Sequence, residues 1–158
     1  MRFIRFGVGL LLLVSAKALA VDPSCDTSWS KTGNTWTCSG NGTVTFSSNT
    51  AFTPNQPTTI IANNGFYFTN NQIGTSSQKV HLESSYGAFN GSGTTLNGNI
   101  TASSGRVTLS STQVNGTIST GGDVDLTDGG VSGKVTSSSN KVTTSGTNLA
   151  GGVTAHSG

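Results

Sequence analysis

Hydrophobic residues in the C-terminal half of this chain fall at alternate positions, in a short unit that recurs at nearly constant spacing. Its copies begin Leu96-Asn97-Gly98-Asn99-Ile100, Val114-Asn115-Gly116-Thr117-Ile118, Val131-Ser132-Gly133-Lys134-Val135 and Leu149-Ala150-Gly151-Gly152-Val153. A second apolar pair follows in the first two copies (Val107/Leu109, Val124/Leu126) and weakens to Val142/Thr144 in the third. Alternation of this kind predicts strands with one buried face. A unit this short cannot enclose a core alone, so it must stack on its neighbours. The predicted fold is all-β: a parallel β-helix, or β-solenoid, of about 17–18 residues per regular coil. Hexapeptide spacing is absent, which favours a right-handed β-helix over the left-handed triangular form.

Within a repeat, Leu96, Gly98, Ile100 and Ala102 should face inward. A turn at Ser103-Ser104-Gly105 leads to Val107 and Leu109 on a second strand. The recurring small residue at Gly98, Gly116, Gly133 and Gly151 suggests a thin interior. Thr101, Ser119, Thr136 and Thr154 should stack outward. An ice-binding surface needs a second Thr column beside the first, and Ser103, Gly121, Ser138 and His156 break it.

Upstream, Thr43–Phe46, Thr59–Ala62, Gly65–Phe68 and Lys79–Leu82 read as less regular strands. The last resembles Arg106–Leu109 in pattern, which predicts that coiling begins before the clean repeats. Tyr86–Gly93 reads as an outward loop or an irregular coil. Cys25–Trp29 and Thr35–Cys38 flank Lys31-Thr32-Gly33-Asn34 as a hairpin. A solenoid needs a terminal cap to cover its apolar cross-section and unpaired edges. The domain reading is therefore a signal at 1–20, a cap at 21–40 and a solenoid at 41–158. Regular repeats occupy 94–158, and the last coil is incomplete, so its edge is expected to fray or self-associate.

Met1–Ala20 has the layout of a secretory signal: Arg2 and Arg5, the apolar run Phe6–Val14, and Ala18-Leu19-Ala20 as cleavage site. The run is too short to span a bilayer and Lys17 follows it, which argues against a retained anchor. Losing Arg2, Arg5 and Lys17 takes the net charge from +2 to −1. No basic patch for nucleic acid or polybasic membrane stripe is left. Gly, Ser, Thr and Asn make up 84 of the 158 residues. Such bias can signal disorder, but the regular apolar spacing argues for narrow stacked coils.

Two cysteines, Cys25 and Cys38, remain after the signal. In an exported chain an even count favours a disulfide, and neither CxxC spacing nor a nearby His supports a redox or metal pair. Trp29 and Trp36 beside it read as cap aromatics, with a sugar-stacking platform as the competing reading. Aligned repeats put Arg106, Asp123 and Lys141 in one column, with Asp125 in the next. Alternating signs about 4.8 Å apart read as an exposed charge ladder. The catalytic alternative, a polysaccharide-lyase calcium site at Asp123, Asp125 and Asp128 with Arg106 as base, needs carboxylates converging from successive coils, and the flanking coils lack them. Gly121–Leu126 resembles one calcium-binding nonapeptide, but that chemistry needs the motif to recur. His81 and His156 are isolated. No catalytic residue, metal or cofactor is assigned.

The signal, Cys25…Trp36-Thr37-Cys38-Ser39-Gly40, the stretch from Asn64-Gly65-Phe66-Tyr67-Phe68 through Ser84-Ser85-Tyr86-Gly87, and the Asn-Gly-x-Ile repeats together carry a resemblance. The chain resembles the N-terminal region of the MSHA-type pilus biogenesis proteins MshQ of Gram-negative bacteria, over nearly all of its length after the signal. Members of that family are longer, with further C-terminal domains. The resemblance implies a place in a type IV pilus system at the periplasm, outer-membrane surface or outside the cell, with envelope or pilus assembly proteins as partners. The expected function is that of a non-enzymatic structural or adhesive module. A carbohydrate-binding or carbohydrate-cleaving β-helix is the alternative, with surface glycans as ligands.

Overall fold

The computed structural model describes residues 20–156, so the signal read at Met1–Ala20 lies outside the described residues except for Ala20. Every regular element among them is a β-strand, and no helix is long and apolar enough to cross a membrane. The chain forms a parallel β-solenoid of about six turns. Each turn presents three sides.

The first side stacks β3 (Thr35–Cys38), β6 (Thr58–Ala62), β9 (Val80–Ser84), β12 (Ile100–Ala102), β14 (Ile118–Thr120), β16 (Val135–Ser137) and β18 (Val153–Ala155) in parallel. The second stacks β4 (Val44–Phe46), β7 (Gly65–Thr69) and β10 (Ala88–Ser92). The third stacks β5 (Ala51–Phe52), β8 (Gln72–Ile73) and β11 (Thr95–Leu96). In the regular coils, single strands β13 (Val107–Val114), β15 (Val124–Val131) and β17 (Val142–Leu149) bend around the corner and serve both sides. Successive register partners on the first side are Trp36, Ile60, Leu82, Ile100, Ile118, Val135 and Val153. The first two coils are therefore the longest, and coil length is nearly constant from Leu82 onward.

Because register is parallel, inward residues form columns along the axis. Ile60, Leu82, Ile100, Ile118 and Val135 make one; Val44, Phe66, Phe89, Val107 and Val124 a second; Phe52, Ile73, Leu96, Val114 and Val131 a third, all buried. Phe66 and Phe89 stack with ring centroids 4.8 Å apart. In the neighbouring column Phe46, Phe68, Leu109 and Leu126 are interrupted by Gly91. A Cβ there would fall inside the Phe68 ring, so the missing side chain is the space that ring fills.

Two kinds of corner have a fixed chemistry. At the corner between the second and third sides, Asn49, Asn70, Gly93, Ser111, Asp128 and Gly146 stack in register, all with φ between 47° and 63°. Gly and Asn/Asp tolerate this left-handed region best, which explains five of the six. Where the next residue is Thr, its hydroxyl turns back onto the chain, as Thr94 Oγ1 donates to the Ser92 carbonyl (3.0 Å) and Thr112 Oγ1 to that of Ser110 (2.9 Å). The Gly98, Gly116, Gly133 and Gly151 column also lies at a corner. Any Cβ there would strike the backbone of the preceding coil. Coil-to-coil approach, rather than the thin interior the sequence suggests, keeps these positions glycine.

Three further expectations change. Val80 and Leu82 pack in register with Gly98 and Ile100, on the first side; the counterparts of Val107 and Leu109 are Phe89 and Gly91. Period-two alternation cannot tell one inward-facing side from another. Of the two readings of Tyr86–Gly93, the coil holds and the outward loop does not: the segment contains β10, with Phe89 fully buried and Tyr86 77% exposed. Asn90, whose Asn-Gly pair suggests a turn or a stacked Asn ladder, sits mid-strand with Tyr67 and Thr108 as its register partners.

The N-terminal end is covered on all three sides. Strand β1 (Ser24–Cys25) pairs antiparallel with β4, and β2 (Trp29–Thr32) pairs antiparallel with β3. Val21 N donates to the Ala51 carbonyl (2.9 Å), beside an Ala20–Ala51 bridge on β5. These pairings occupy the edges of the first coil, so that β3, β4 and β5 are not left as unpaired edge strands. A hairpin forms as expected, but its first strand is Trp29–Thr32 rather than Cys25–Trp29, its turn is Gly33-Asn34, and β3 is also the first rung of the solenoid. At the other end, β17 pairs only with β15 and β18 only with β16 among the described residues. Val142 and Leu149 are half-buried there, and Val153 is 45% exposed.

Candidate functional site

Outward residues form polar columns as regular as the apolar ones inside. On the first side Glu83, Thr101, Ser119, Thr136 and Thr154 stack in register, the Thr/Ser column the repeats predict. At one corner Asn115 Nδ2 donates to Asn97 Oδ1 (2.9 Å), and Asn97 Nδ2 to the Gly74 carbonyl (3.1 Å). His81, half-buried, accepts the Asn99 backbone N–H at Nδ1 (3.2 Å). These corner groups are engaged along the axis, as neighbours in a stack allow.

The charge column lies on the second side. Strand register sets Arg106, Asp123 and Lys141 one behind another, just before Val107, Val124 and Val142. Ion pairing does not follow the column. The Arg106 guanidinium reaches diagonally to Asp125, with Nε donating to Oδ2 at 2.7 Å. Arg106 is well exposed, so the pair contributes no more than about 1 kcal/mol. The other ion pair among the described residues is Lys31–Asp22, at 3.9 Å. Asp123, Asp125 and Asp128 do not gather into a set of carboxylates that one ion could bridge.

Cys25 and Cys38 form the disulfide, with Cα atoms 5.6 Å apart. They also group with Asp26 as possible metal ligands, but the disulfide consumes both sulfurs. Asp26 Oδ1 accepts the Thr43 N–H (2.7 Å), tying the cap to the first coil. Trp36 stands edge-to-face with Phe52 (5.3 Å) and Trp29 (5.8 Å). Lys31 Nζ lies 3.3 Å from the Trp36 ring centroid. Cation–π contact and edge-to-face packing together bind the hairpin to the core. Both Trp rings thus pack within the hairpin, and Trp36 also packs against the first coil.

Sequence reasoning missed one feature. The connection at 53–57, just after Phe52, is longer than the corresponding connection at 97–99 in the regular coils. It bounds a cleft of about 320 Å³ whose wall includes Trp36, Phe52, Asp22, Thr53, Asn55 and Gln56. A shallower depression of about 220 Å³ lies beside Tyr67, which is 52% exposed, over the notch at Gly91. The only signal for the cleft was the pair Pro54 and Pro57 around Asn55-Gln56 in a coil longer than its neighbours.

No family model, curated protein or solved structure matches the chain.

Proposed function

We propose that this chain is a secreted, non-enzymatic β-helical module serving as spacer and adhesive surface in the assembly or function of an MSHA-type surface pilus. The observation that carries this reading is the continuous register of outward polar columns on a single stacked core. A solenoid of this kind offers its partners an extended surface, and its length grows by one coil at a time. The commitment of Arg106 to Asp125 supports a structural role for the charge column. The disulfide supports an oxidising compartment, in keeping with cleavage after Ala20 and export.

Excising one coil, residues 116–132, should shorten the particle by about 4.8 Å and keep it folded. In a host bearing the pilus, deleting the chain should reduce pilus number or attachment, and the exported form should begin at Val21 by mass spectrometry. Unchanged piliation and attachment in the deletion strain would sink the proposal.

A further inference from the structure

The cleft beside the cap has the composition of a ligand site. Its aromatic wall is Trp36 and Phe52, and its polar wall is Asp22, Thr53, Asn55 and Gln56. The side chains of Asn55 and Gln56 are exposed and make no hydrogen bond to other described residues, so their donors and acceptors are available. Asp22 is engaged only by the long contact to Lys31, and its side chain is 71% exposed. Pro54 and Pro57 hold the loop that carries the amides, limiting the ordering cost of binding. The loop adds nothing to the apolar columns. An insertion that leaves the core unchanged and builds one wall of a cavity is a better candidate for recognition than for stability.

The chemistry selects among ligands. No lysine or arginine lines the cleft, Lys31 beside its aromatic wall already lies over Trp36, and Asp22 would repel an anionic group. A cationic ligand would compete with Lys31 for both Trp36 and Asp22. A neutral sugar is not repelled by Asp22 and need not displace the Lys31 charge: it can meet the part of Trp36 that lines the cleft and share Asp22, whose side chain is 71% exposed. Its C–H face suits an aromatic wall, and its adjacent hydroxyls suit amides and a carboxylate, which supply donors and acceptors together. The volume is at the small end for ligand sites, enough for one or two rings. We infer that this cleft binds a neutral saccharide unit, with Trp36 as aromatic wall and Asn55, Gln56 and Asp22 as hydroxyl partners. This deepens the adhesive part of the proposed function and rests on it for its biological role.

The test titrates the full exported chain with methyl glycosides of glucose, galactose, mannose and N-acetylglucosamine, each alone, following tryptophan fluorescence. At least one glycoside should shift the emission saturably. The Asn55→Ala/Gln56→Ala variant, which leaves the core columns untouched, should weaken that binding about tenfold or more, equivalent to the loss of one or two hydrogen bonds. Far-UV circular dichroism confirms its fold. No shift with any glycoside, or equal binding by the variant, overturns the site. If no glycoside binds while deleting the chain still abolishes attachment, the site falls and the adhesive reading stands. If the variant loses saccharide binding yet attaches like the parent, the site stands and the adhesive reading falls.

Discussion

The first coils and the last coils of this solenoid solve one packing problem with different side chains. Every Phe, Tyr and Trp of the chain lies at or before Phe89. There, Phe46, Phe52, Phe66, Phe68 and Phe89 fill a core whose first two coils, Trp36 to Ile60 and Ile60 to Leu82, are the longest. Beyond Leu96 the core is dominated by Ile, Leu and Val, and coil length settles to a nearly constant value. Phe66 and Phe89 stack directly in one column, but in the next Phe68 meets no ring on the following coil and fills the notch at Gly91 instead, so the aromatic coils do not repeat one another. Branched aliphatic side chains do repeat, and regular spacing follows. The aromatic end is closed and cross-linked; the aliphatic end thins to Thr144 and half-buried Leu149.

The difference can be broken most sharply at Phe89. Phe89→Ala should cost about 3–5 kcal/mol, because the ring is fully buried and its stacked partner Phe66 cannot refill the space. A urea melt that moves by less than about 1 kcal/mol would show an aromatic end as forgiving as the aliphatic one. Reducing Cys25–Cys38 should cost roughly 3 kcal/mol through the loop it closes. Exchange protection should fall first in β1 to β4; uniform loss through β16 would mean that the cap stabilises all coils equally. In the regular coils, Gly116→Ala should cost about 1–3 kcal/mol by forcing a Cβ onto the Gly98 carbonyl. A neutral effect on the thermal midpoint would show that the coils separate more easily than their spacing implies. Arg106→Ala should cost at most about 1 kcal/mol and less in high salt. A larger, salt-insensitive loss would show that the Arg106–Asp125 pair is shielded from solvent more than its exposure implies.

How far the sequence foretold this follows the same divide. Stacked coils are legible where one residue type recurs in one column, as Ile100, Ile118 and Val135 do. They are hidden where inserted loops at 53–57 and 74–79 interrupt the period, which is why Val80 and Leu82 read as the wrong side. Charge order along a column was legible because register alone sets it. The diagonal reach from Arg106 to Asp125 was not, since a long side chain chooses among several neighbours. The disulfide followed from the cysteine count. The cleft did not, because Asp22, Trp36 and Asn55 meet only after the first coil closes.

The closed end also has a consequence for the order in which the protein takes shape. Synthesis delivers the N-terminal residues first. The cap is local: its disulfide spans a separation of 13 residues, and its hairpin pairs Trp29 with Cys38. Each later coil then finds its register partner in the coil just before it, already in place. Because β1 and β2 occupy the first edges in antiparallel fashion, growth has one open direction. The molecule can assemble as a zipper started at its tail end, with each completed coil acting as the template for the one just made.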